Sequence, residues 1–175
     1  YHLNGEKMFI TNGGKANLII LIARTSETEL SAFLMETDQA GFTLTDRIHT
    51  IGVRASNTVR FQMTDAIGWH TPCSFEQAIS LLYRGRLGIA GMAVGIAEKA
   101  FELTVEYGKQ REQFKRRLVD MQSVQNMIAD SATELEASRL LLHKGAVMFD
   151  RGEDVTLISS MAKLYASETA NHVTN

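Results

Sequence analysis

The sequence predicts an α+β fold, in which a small antiparallel β-barrel or β-sandwich segment is followed by an up-down antiparallel helical bundle. Residues 1–70 contain short apolar or alternating runs separated by turns rich in glycine and asparagine, a pattern typical of antiparallel strands. The only proline of the chain, Pro72, marks the end of that pattern. After it, apolar residues recur every seven positions, which indicates long amphipathic helices. We therefore expect two parts, residues 1–70 and residues 71–175.

The composition is that of an ordinary folded protein and argues against several functional classes. Hydrophobic residues make up 45% and charged residues 22% of the 175 residues, which argues against a disordered chain. The formal net charge of −2 argues against a general nucleic-acid binder. No uninterrupted apolar run approaches the roughly 20 residues of a membrane span. The single cysteine, Cys73, cannot form an intramolecular disulfide, and the scattered histidines give no metal-ligand spacing, so we expect no metal site.

Turn signals and apolar runs divide the first part into about six or seven short strands. Asn4-Gly5, between two apolar segments, predicts a β-hairpin turn, and Asn12-Gly13-Gly14 predicts a second turn. The continuous apolar run from 17 to 23 predicts a fully buried strand. Three further segments have strand character: 31–35, 42–44 and 58–63.

Three helices are predicted in the second part. Ser74 with Gln77 three residues later has the form of a capping box and opens the first helix. This helix is expected to run for about 30 residues and to end near Gly108. Asp120 is expected to cap the second helix and Asp154 the third.

The spacing of large apolar residues also predicts which face of each helix is buried. Two long helices joined by a short turn pack antiparallel in a bundle, whereas a coiled-coil interaction rod is the alternative. Alanine, serine and glycine residues beside the predicted seam favour the globular bundle. The seam residues are Leu82, Ile89, Ile96 and Leu103 on the first helix, and Met121, Ile128, Leu135, Leu142 and Phe149 on the second.

No triad, metal-site or P-loop motif appears, but three segments carry a family resemblance. They are residues 3–13 (LNGEKMFITNG), residues 48–58 (IHTIGVRASNT), and residues 85–90 (GRLGIA) followed by 111–114 (REQF) and Gln122. In this order and spacing they resemble the acyl-CoA dehydrogenase family of flavoenzymes. The resemblance covers nearly the whole chain. It implies the later part of the family's middle β-domain and the first helices of its C-terminal helical domain, so we expect a fragment of a longer protein.

The resemblance implies that Phe9, Ile10 and Thr11 bind the flavin ring of FAD. In the family, an aromatic residue at the position of Phe9 covers one face of the ring. The threonine hydroxyl and nearby backbone groups hydrogen-bond the polar edge of the ring. This is physically sensible, because a flat π-system fits a flat apolar wall and its polar edge fits fixed donors. Without the resemblance, Phe9 is a core strand residue and Thr11 a turn residue.

The resemblance also implies that Arg111 and Gln122 contact FAD. Arg111 aligns with the arginine of an R-x-x-F pattern that reaches the FAD pyrophosphate of a neighbouring subunit, and Gln122 aligns with a glutamine that contacts the same cofactor. A planar guanidinium suits a diphosphate, and a helix N-terminus favours phosphates. Lys115 stands where the family pattern continues with glycine, which alters the turn geometry or adds a further cation. The alternative is that residues 109–117 form a solvated basic turn.

Arg86 and Tyr83 are the implied substrate-binding residues. Arg86 aligns with an arginine near the acyl-CoA, and Tyr83 stands where relatives often carry an aspartate that helps to place the CoA. A charge on this flank of the helix needs a partner or a ligand, and an ion pair inside the bundle is the alternative to substrate binding. The family's catalytic base is a glutamate on a later segment or at the position of Gly85. Glycine abstracts no proton, so we assign no catalytic residue within the chain.

The resemblance implies an FAD-dependent oxidoreductase of fatty acid metabolism that introduces an α,β double bond into an acyl-CoA or another acyl thioester. A base removes the α-proton while the β-hydride goes to flavin N5. The implied partners are an electron-transferring flavoprotein and further copies of the chain in a homotetramer, with no nucleic acid and no membrane span. The implied location is the bacterial cytoplasm or the mitochondrial matrix. An acyl-CoA oxidase-type relative, a non-catalytic helical assembly fragment and a flavin-binding but redox-inert scaffold are the alternatives.

Overall fold

The computed structural model describes all residues, 1–175, and the chain divides into two compact units, Tyr1–Ala78 and Ile79–Asn175. The strands of the first unit are β1 (His2–Ile10), β2 (Leu18–Arg24), β3 (Leu30–Glu36), β4 (Phe42–Arg47), β5 (Val59–Ile67) and β6 (Trp69–His70). After them come α1 (Phe75–Gln110), β7 (Glu112–Gln113), β8 (Arg116–Arg117), a 3₁₀ turn (Leu118–Asp120), α2 (Gln122–Asp150) and α3 (Thr156–Thr174).

The six strands of the first unit form two antiparallel sheets that share one apolar core. One sheet has the order β1–β5–β4 and the other β2–β3–β6. The predicted antiparallel β segment is confirmed, and neither three-stranded sheet closes into a barrel. Inward-facing side chains alternate with exposed ones along β5, as expected for a strand with one buried face. The core residues are Leu3, Ile19, Leu21, Phe33, Met35, Val59, Phe61, Met63 and Ala66.

Asn4-Gly5 does not form the predicted hairpin turn. Both residues lie inside β1, whose register against β5 shifts between Leu3 and Gly5. Gly5 has a φ of 139°, and the side-chain oxygen of Asn4 accepts a hydrogen bond from the backbone N–H of Asp65 at 2.8 Å. The glycine therefore accommodates an irregularity within one strand instead of reversing the chain.

The predicted turn at Asn12-Gly13-Gly14 is present. The backbone N–H groups of Lys15 and Ala16 both donate to the carbonyl oxygen of Asn12 at 2.9 Å, and Asn12 itself has a φ of 60°. Asparagine is one of the few residues that adopts this left-handed conformation readily, which explains why the turn forms here.

The first helix begins with the predicted capping box. The backbone N–H of Gln77 donates to Ser74 Oγ at 3.2 Å, and that of Ser74 donates to Gln77 Oε1 at 2.9 Å. Asp154 does not occupy the predicted cap position of the third helix, which is held by Val155, but it lies one residue before it and contacts the first turn. The Asp154 carboxylate accepts hydrogen bonds from the hydroxyl of Thr156 at 2.6 Å and from its backbone N–H at 2.9 Å, which lowers the pKa of Asp154.

The three helices pack in alternating directions around a core of mostly small residues. Arg139 Nη2 on α2 donates to Glu98 Oε1 on α1 at 2.9 Å, and the buried Ser138 hydroxyl on α2 donates to Thr169 Oγ1 on α3 at 3.1 Å. The predicted helical bundle is confirmed. Its core residues are Leu87, Ala90, Ala93, Val94, Ala97, Leu135, Ala162 and Ala166.

The predicted apolar seam of α1 is not its buried face. Each of the four seam residues is between 44% and 56% exposed, whereas Ala90, Ala93 and Ala97 are buried. Leu87, which is not a seam residue, points into the core instead, and a Cβ at Gly145 on α2 would need the space that its side chain occupies. The buried face of α1 therefore combines Leu87 and Val94 with alanines. The outward residues of the predicted seam are Leu82, Ile89, Ile96 and Leu103.

By length and composition alone, α1 is the one helix able to cross a membrane, although its sequence has no uninterrupted apolar run of that length. The core helix of a helical bundle meets the same criterion. α1 contributes five residues to the bundle core, whereas most of its apolar stretch is exposed, so the bundle core accounts for only part of its apolar character.

We expect Gly41→Ala to lower the free energy of unfolding of the β unit by about 1–3 kcal/mol. Gly41 has a φ of 88°, and a Cβ there would collide with the backbone carbonyl oxygen of Thr64. Urea denaturation followed by the fluorescence of Trp69, the only tryptophan, measures the change. The neighbouring Ala40→Gly serves as the control, with an expected loss of at most about 1 kcal/mol. Equal losses for the two variants would contradict the account.

We expect the Glu134–His172 ion pair between α2 and α3 to stabilise the helical unit in a pH-dependent way. His172 Nδ1 lies 2.8 Å from Glu134 Oε2, and this hydrogen bond raises the pKa of His172, with a smaller contribution from Asp130. Because the folded-state pKa lies above the unfolded one, the stabilisation is present below about pH 6.5 and is lost as the pH rises through the folded-state pKa. Thermal unfolding of wild type and Glu134→Gln across that range measures it. The gap between their melting temperatures should shrink as the pH rises, and a gap independent of pH would refute the prediction.

Candidate functional site

Phe9 lies outside the core because β1 bulges next to it. Lys7 is opposite Phe61 on β5 and Ile10 is opposite Val59, so two residues of β1 face a single residue of β5. Phe9 has a φ of 60° and is 65% exposed. The left-handed conformation costs an ordinary residue about 1–2 kcal/mol. Bulges re-aim side chains, and strain of this kind is typical of functional positions.

Ile10 and Thr11 follow Phe9 at the end of β1. Ile10 is half-buried against the β core, and its carbonyl accepts a hydrogen bond from Gly13 at 3.2 Å. Thr11 is exposed, opens the turn, and its hydroxyl makes no hydrogen bond within the chain. The three residues thus present an aromatic ring and a free hydroxyl at one strand end. Phe9 is not a core residue, whereas Thr11 does occupy a turn.

Arg111 stands at the base of the β7–β8 hairpin, and residues 109–117 are all exposed, so the segment is solvated and hairpin-shaped. The backbone N–H of Arg111 donates to Tyr107 at 2.8 Å, and its carbonyl accepts a hydrogen bond from Leu118 at 2.9 Å. The guanidinium of Arg111 is exposed and has no ion-pair or hydrogen-bond partner. It is therefore free to meet an anion from outside the chain.

The tip of the hairpin is a two-residue turn made by Phe114 and Lys115. Both have positive φ, 53° and 61° respectively. Tight turns of this type favour asparagine and glycine, because other residues pay a steric penalty there. Lys115, which stands where the family pattern has glycine, therefore forms part of this turn and places a cation at a strained position.

Gln122 is the first residue of α2, and the start of that helix has no side-chain cap. The boundary residue is Met121, whose side chain makes no capping hydrogen bond. The predicted cap, Asp120, was wrong: its carboxylate accepts two hydrogen bonds from Arg117, at 2.9 and 3.0 Å. Those bonds lower the pKa of Asp120 and raise that of Arg117. The amide groups at the start of α2, next to an exposed Gln122, are left available to an anion.

Arg86 and Tyr83 lie one turn apart on α1. Arg86 Nη1 donates to Ser160 Oγ on α3 at 2.8 Å, and its guanidinium lies 5.2 Å from the centre of the Tyr83 ring. No carboxylate pairs with Arg86, which argues against the intrabundle ion pair. The anchoring residue Ser160 could not have been found from the sequence, because nothing marks one serine of α3 as the partner of an arginine 74 positions earlier.

Gly85 lies between these two residues on an open part of α1. A Cβ at this position would meet no atom within 4 Å. The position therefore has room for a side chain, but glycine supplies no proton acceptor.

The implied residues thus fall into three local groups. Phe9, Ile10 and Thr11 belong to the β unit. In the helical unit, Arg111 and Gln122 flank the hairpin and its 3₁₀ turn, and Tyr83 and Arg86 share one turn of α1.

Family models match both units. The model of the acyl-CoA dehydrogenase middle domain matches residues 1–66, and that of the acyl-CoA dehydrogenase C-terminal domain matches residues 75–175. The chain belongs to the acyl-CoA dehydrogenase family. The family resemblance inferred from the three segments is confirmed.

Curated relatives align along nearly the whole chain. The rat mitochondrial short/branched chain specific acyl-CoA dehydrogenase is 36% identical over 100% of this chain and 43% of its own length. An acyl-CoA dehydrogenase of Bacillus subtilis is 39% identical over 97% and 48% respectively. The caffeyl-CoA reductase-Etf complex subunit CarC of Acetobacterium woodii is 34% identical over 99% and 48%. The chain therefore spans about half the length of the curated relatives it matches.

Solved structures of relatives superpose closely. The butyryl-CoA dehydrogenase of Megasphaera elsdenii matches with a TM-score of 0.88 and 36% identity, over 99% of this chain and 48% of its own. The structure titled "PigA with FAD and proline" matches with a TM-score of 0.89 and 28% identity, over 99% and 48% respectively.

We expect Phe114→Asn to raise the free energy of unfolding of the helical unit by about 1 kcal/mol. Asparagine tolerates the left-handed conformation, and Phe114 is 88% exposed, so little packing is lost. Chemical denaturation followed by circular dichroism measures the change. Phe114→Leu is the control, because leucine is apolar but has no left-handed preference, and it should give no gain. A gain of equal size from leucine would show that removing the ring, not relieving the turn, is responsible.

Proposed function

We propose that the full-length protein is an FAD-dependent oxidoreductase that introduces an α,β double bond into an acyl-CoA. The single observation that carries the proposal is the strained bulge that displays Phe9 next to the free hydroxyl of Thr11, in a chain of the acyl-CoA dehydrogenase family. A buried Phe9 would have argued against it. Fatty acid metabolism is the process in which such a reaction belongs.

The donor set of the chain fits FAD. In the β unit, Phe9 offers a flat apolar surface to the flavin ring, and the Thr11 hydroxyl with backbone groups near Ile10 offers hydrogen bonds to its edge. In the helical unit, the unpaired Arg111 and the uncapped start of α2 at Gln122 suit a diphosphate. The solved structure of the relative PigA with FAD and proline supports the same cofactor.

Bound FAD would supply the acceptor for the hydride that leaves the β-carbon of the substrate, as a base takes the α-proton. The residues of this chain would bind the cofactor and orient the reacting groups. Phe9 would exclude water from one face of the reacting centre, and Thr11 would fix the ring edge. We name no base, because position 85 is glycine. Both electrons of the broken β C–H bond leave with the hydride, and the α C–H pair becomes the new double bond.

Arg86 is the residue we propose to contact the substrate thioester, with Tyr83 beside it. Ser160 and the Tyr83 ring hold the guanidinium in place, so less side-chain freedom is lost on binding. With tyrosine instead of an acidic residue, the positive charge of Arg86 is not neutralised within the chain. It would therefore attract a polar or anionic part of the thioester's carrier.

The proposal includes a redox partner and self-association. An electron-transferring flavoprotein is the proposed electron acceptor, which the relative named as part of a reductase-Etf complex supports. A homotetramer is supported by the outward-facing large apolar residues of α1, since monomers rarely expose a long apolar face. The proposed location is the mitochondrial matrix or the bacterial cytoplasm, since the rat relative is named as mitochondrial and another relative is bacterial.

We expect Arg111→Gln to weaken FAD binding by the full-length protein at least tenfold, because a charge-assisted contact to the diphosphate is lost. Equilibrium dialysis and flavin absorbance measure the dissociation constant, and circular dichroism monitors the helices. Arg24→Gln, which removes an exposed cation at the end of β2, should leave the dissociation constant for FAD unchanged. Unchanged FAD affinity for Arg111→Gln with an intact fold would refute the role of Arg111. A folded full-length protein that binds no FAD would refute the proposed function.

A further inference from the structure

We propose that Lys115 is an additional phosphate-binding residue, so that the hairpin meets a dinucleotide diphosphate with two unpaired cations, Arg111 and Lys115. The inference rests on the proposed function and names a residue of this chain for which the family pattern has glycine. The class of ligand is an organic diphosphate, with FAD as the form that the proposed function supplies.

The turn that displays Lys115 is energetically unfavourable for the residues that form it. Two central residues with positive φ favour Asn-Gly, yet this hairpin has Phe114 and Lys115. Neither side chain recovers the cost inside the chain, because Phe114 is 88% exposed and Lys115 makes no contact with an acid. Strain without an internal compensation is most often found where the side chain meets a ligand.

The charges of the hairpin are not balanced locally. Residues 109–120 contain five cations and two acids, although the whole chain has a net charge of −2. Asp120 pairs with Arg117, and Glu112 is opposite Arg117 in the hairpin register and acts on the same guanidinium. Both acids thus act on Arg117, whereas the other four cations of the segment, Arg111 and Lys115 among them, have no ion-pair partner. A dianion is the chemistry that would neutralise such a pair.

The hairpin is held firmly enough to position these cations. The Arg111–Leu118 backbone hydrogen bond closes its base, and Gly108 is buried where a Cβ would press on Val119 at 3.0 Å. The 3₁₀ turn joins the hairpin directly to α2, whose first amide groups are uncapped. The helix start and the two cations therefore lie on one continuous segment of the chain, and each contributes positive electrostatic potential.

The test uses the full-length protein, with FAD and inorganic pyrophosphate as the two probes. Lys115→Asn removes the charge but keeps a residue that tolerates the left-handed turn, whereas Lys115→Arg keeps the charge. Lys144→Gln removes an exposed cation from the C-terminal part of α2 and is the matched control. Dissociation constants are measured at low and high salt, and the melting temperature of the FAD-free protein monitors the turn.

We expect Lys115→Asn to weaken binding of both probes about five- to tenfold, the range for one exposed charge-assisted contact. The loss should shrink at high salt, because exposed charges are screened. Lys115→Arg and Lys144→Gln should bind as wild type does. The melting temperature of FAD-free Lys115→Asn should not fall, since asparagine suits the turn, and this separates a binding role from a structural one.

Unchanged affinities for Lys115→Asn, with the expected loss for Arg111→Gln, would overturn the inference and leave the proposed function intact. A loss for FAD without a loss for pyrophosphate would overturn the assignment of Lys115 to the diphosphate. Failure of the wild-type protein to bind FAD would overturn both.

Discussion

Close packing of small side chains is the constraint on which the helical unit depends. Ala90, Ala97 and Ala162 are completely buried, and so is Ser138, which links α2 to α3 through Thr169. Small residues let the backbones of α2 and α3 approach closely, and only a few large side chains, such as Leu87 and Leu135, fit into the core. The large apolar residues of the predicted α1 seam point outward instead.

This constraint also explains what could and could not be predicted about the fold. The order of elements followed from the change in apolar periodicity, and the start of α1 followed from the reciprocal hydrogen bonds that Ser74 and Gln77 can form. The buried face of α1 could not be predicted from its large residues, because spacing identifies a helix without saying which neighbours it meets. Asn4-Gly5 was misassigned for a related reason: a local turn signal cannot reveal that β5 pairs with both sides of it.

Part of the candidate site could likewise be predicted from the sequence, and part could not. The resemblance to the family supplied the residues, since nothing in the composition distinguishes Phe9 or Arg111 from other aromatic and basic residues. The structure added how they are displayed, through a bulge at Phe9 and a strained hairpin tip beyond Arg111. The contact between Arg86 and Ser160 depends on tertiary geometry and has no sequence signal. The pairing of Asp120 with Arg117 is local, but it competes with the capping of α2, and the sequence does not show which of the two prevails.

Anaerobic titration of the full-length protein with acyl-CoAs of different chain length, followed by flavin absorbance, tests the central claim most directly. The account predicts that the protein is isolated with an oxidised flavin band that at least one acyl-CoA bleaches, with formation of the α,β-unsaturated thioester. The free acid of the same chain length should not bleach the band, because the thioester is what makes the α-proton acidic. A flavin band that no acyl thioester bleaches, or the absence of flavin from a folded protein, would contradict the account.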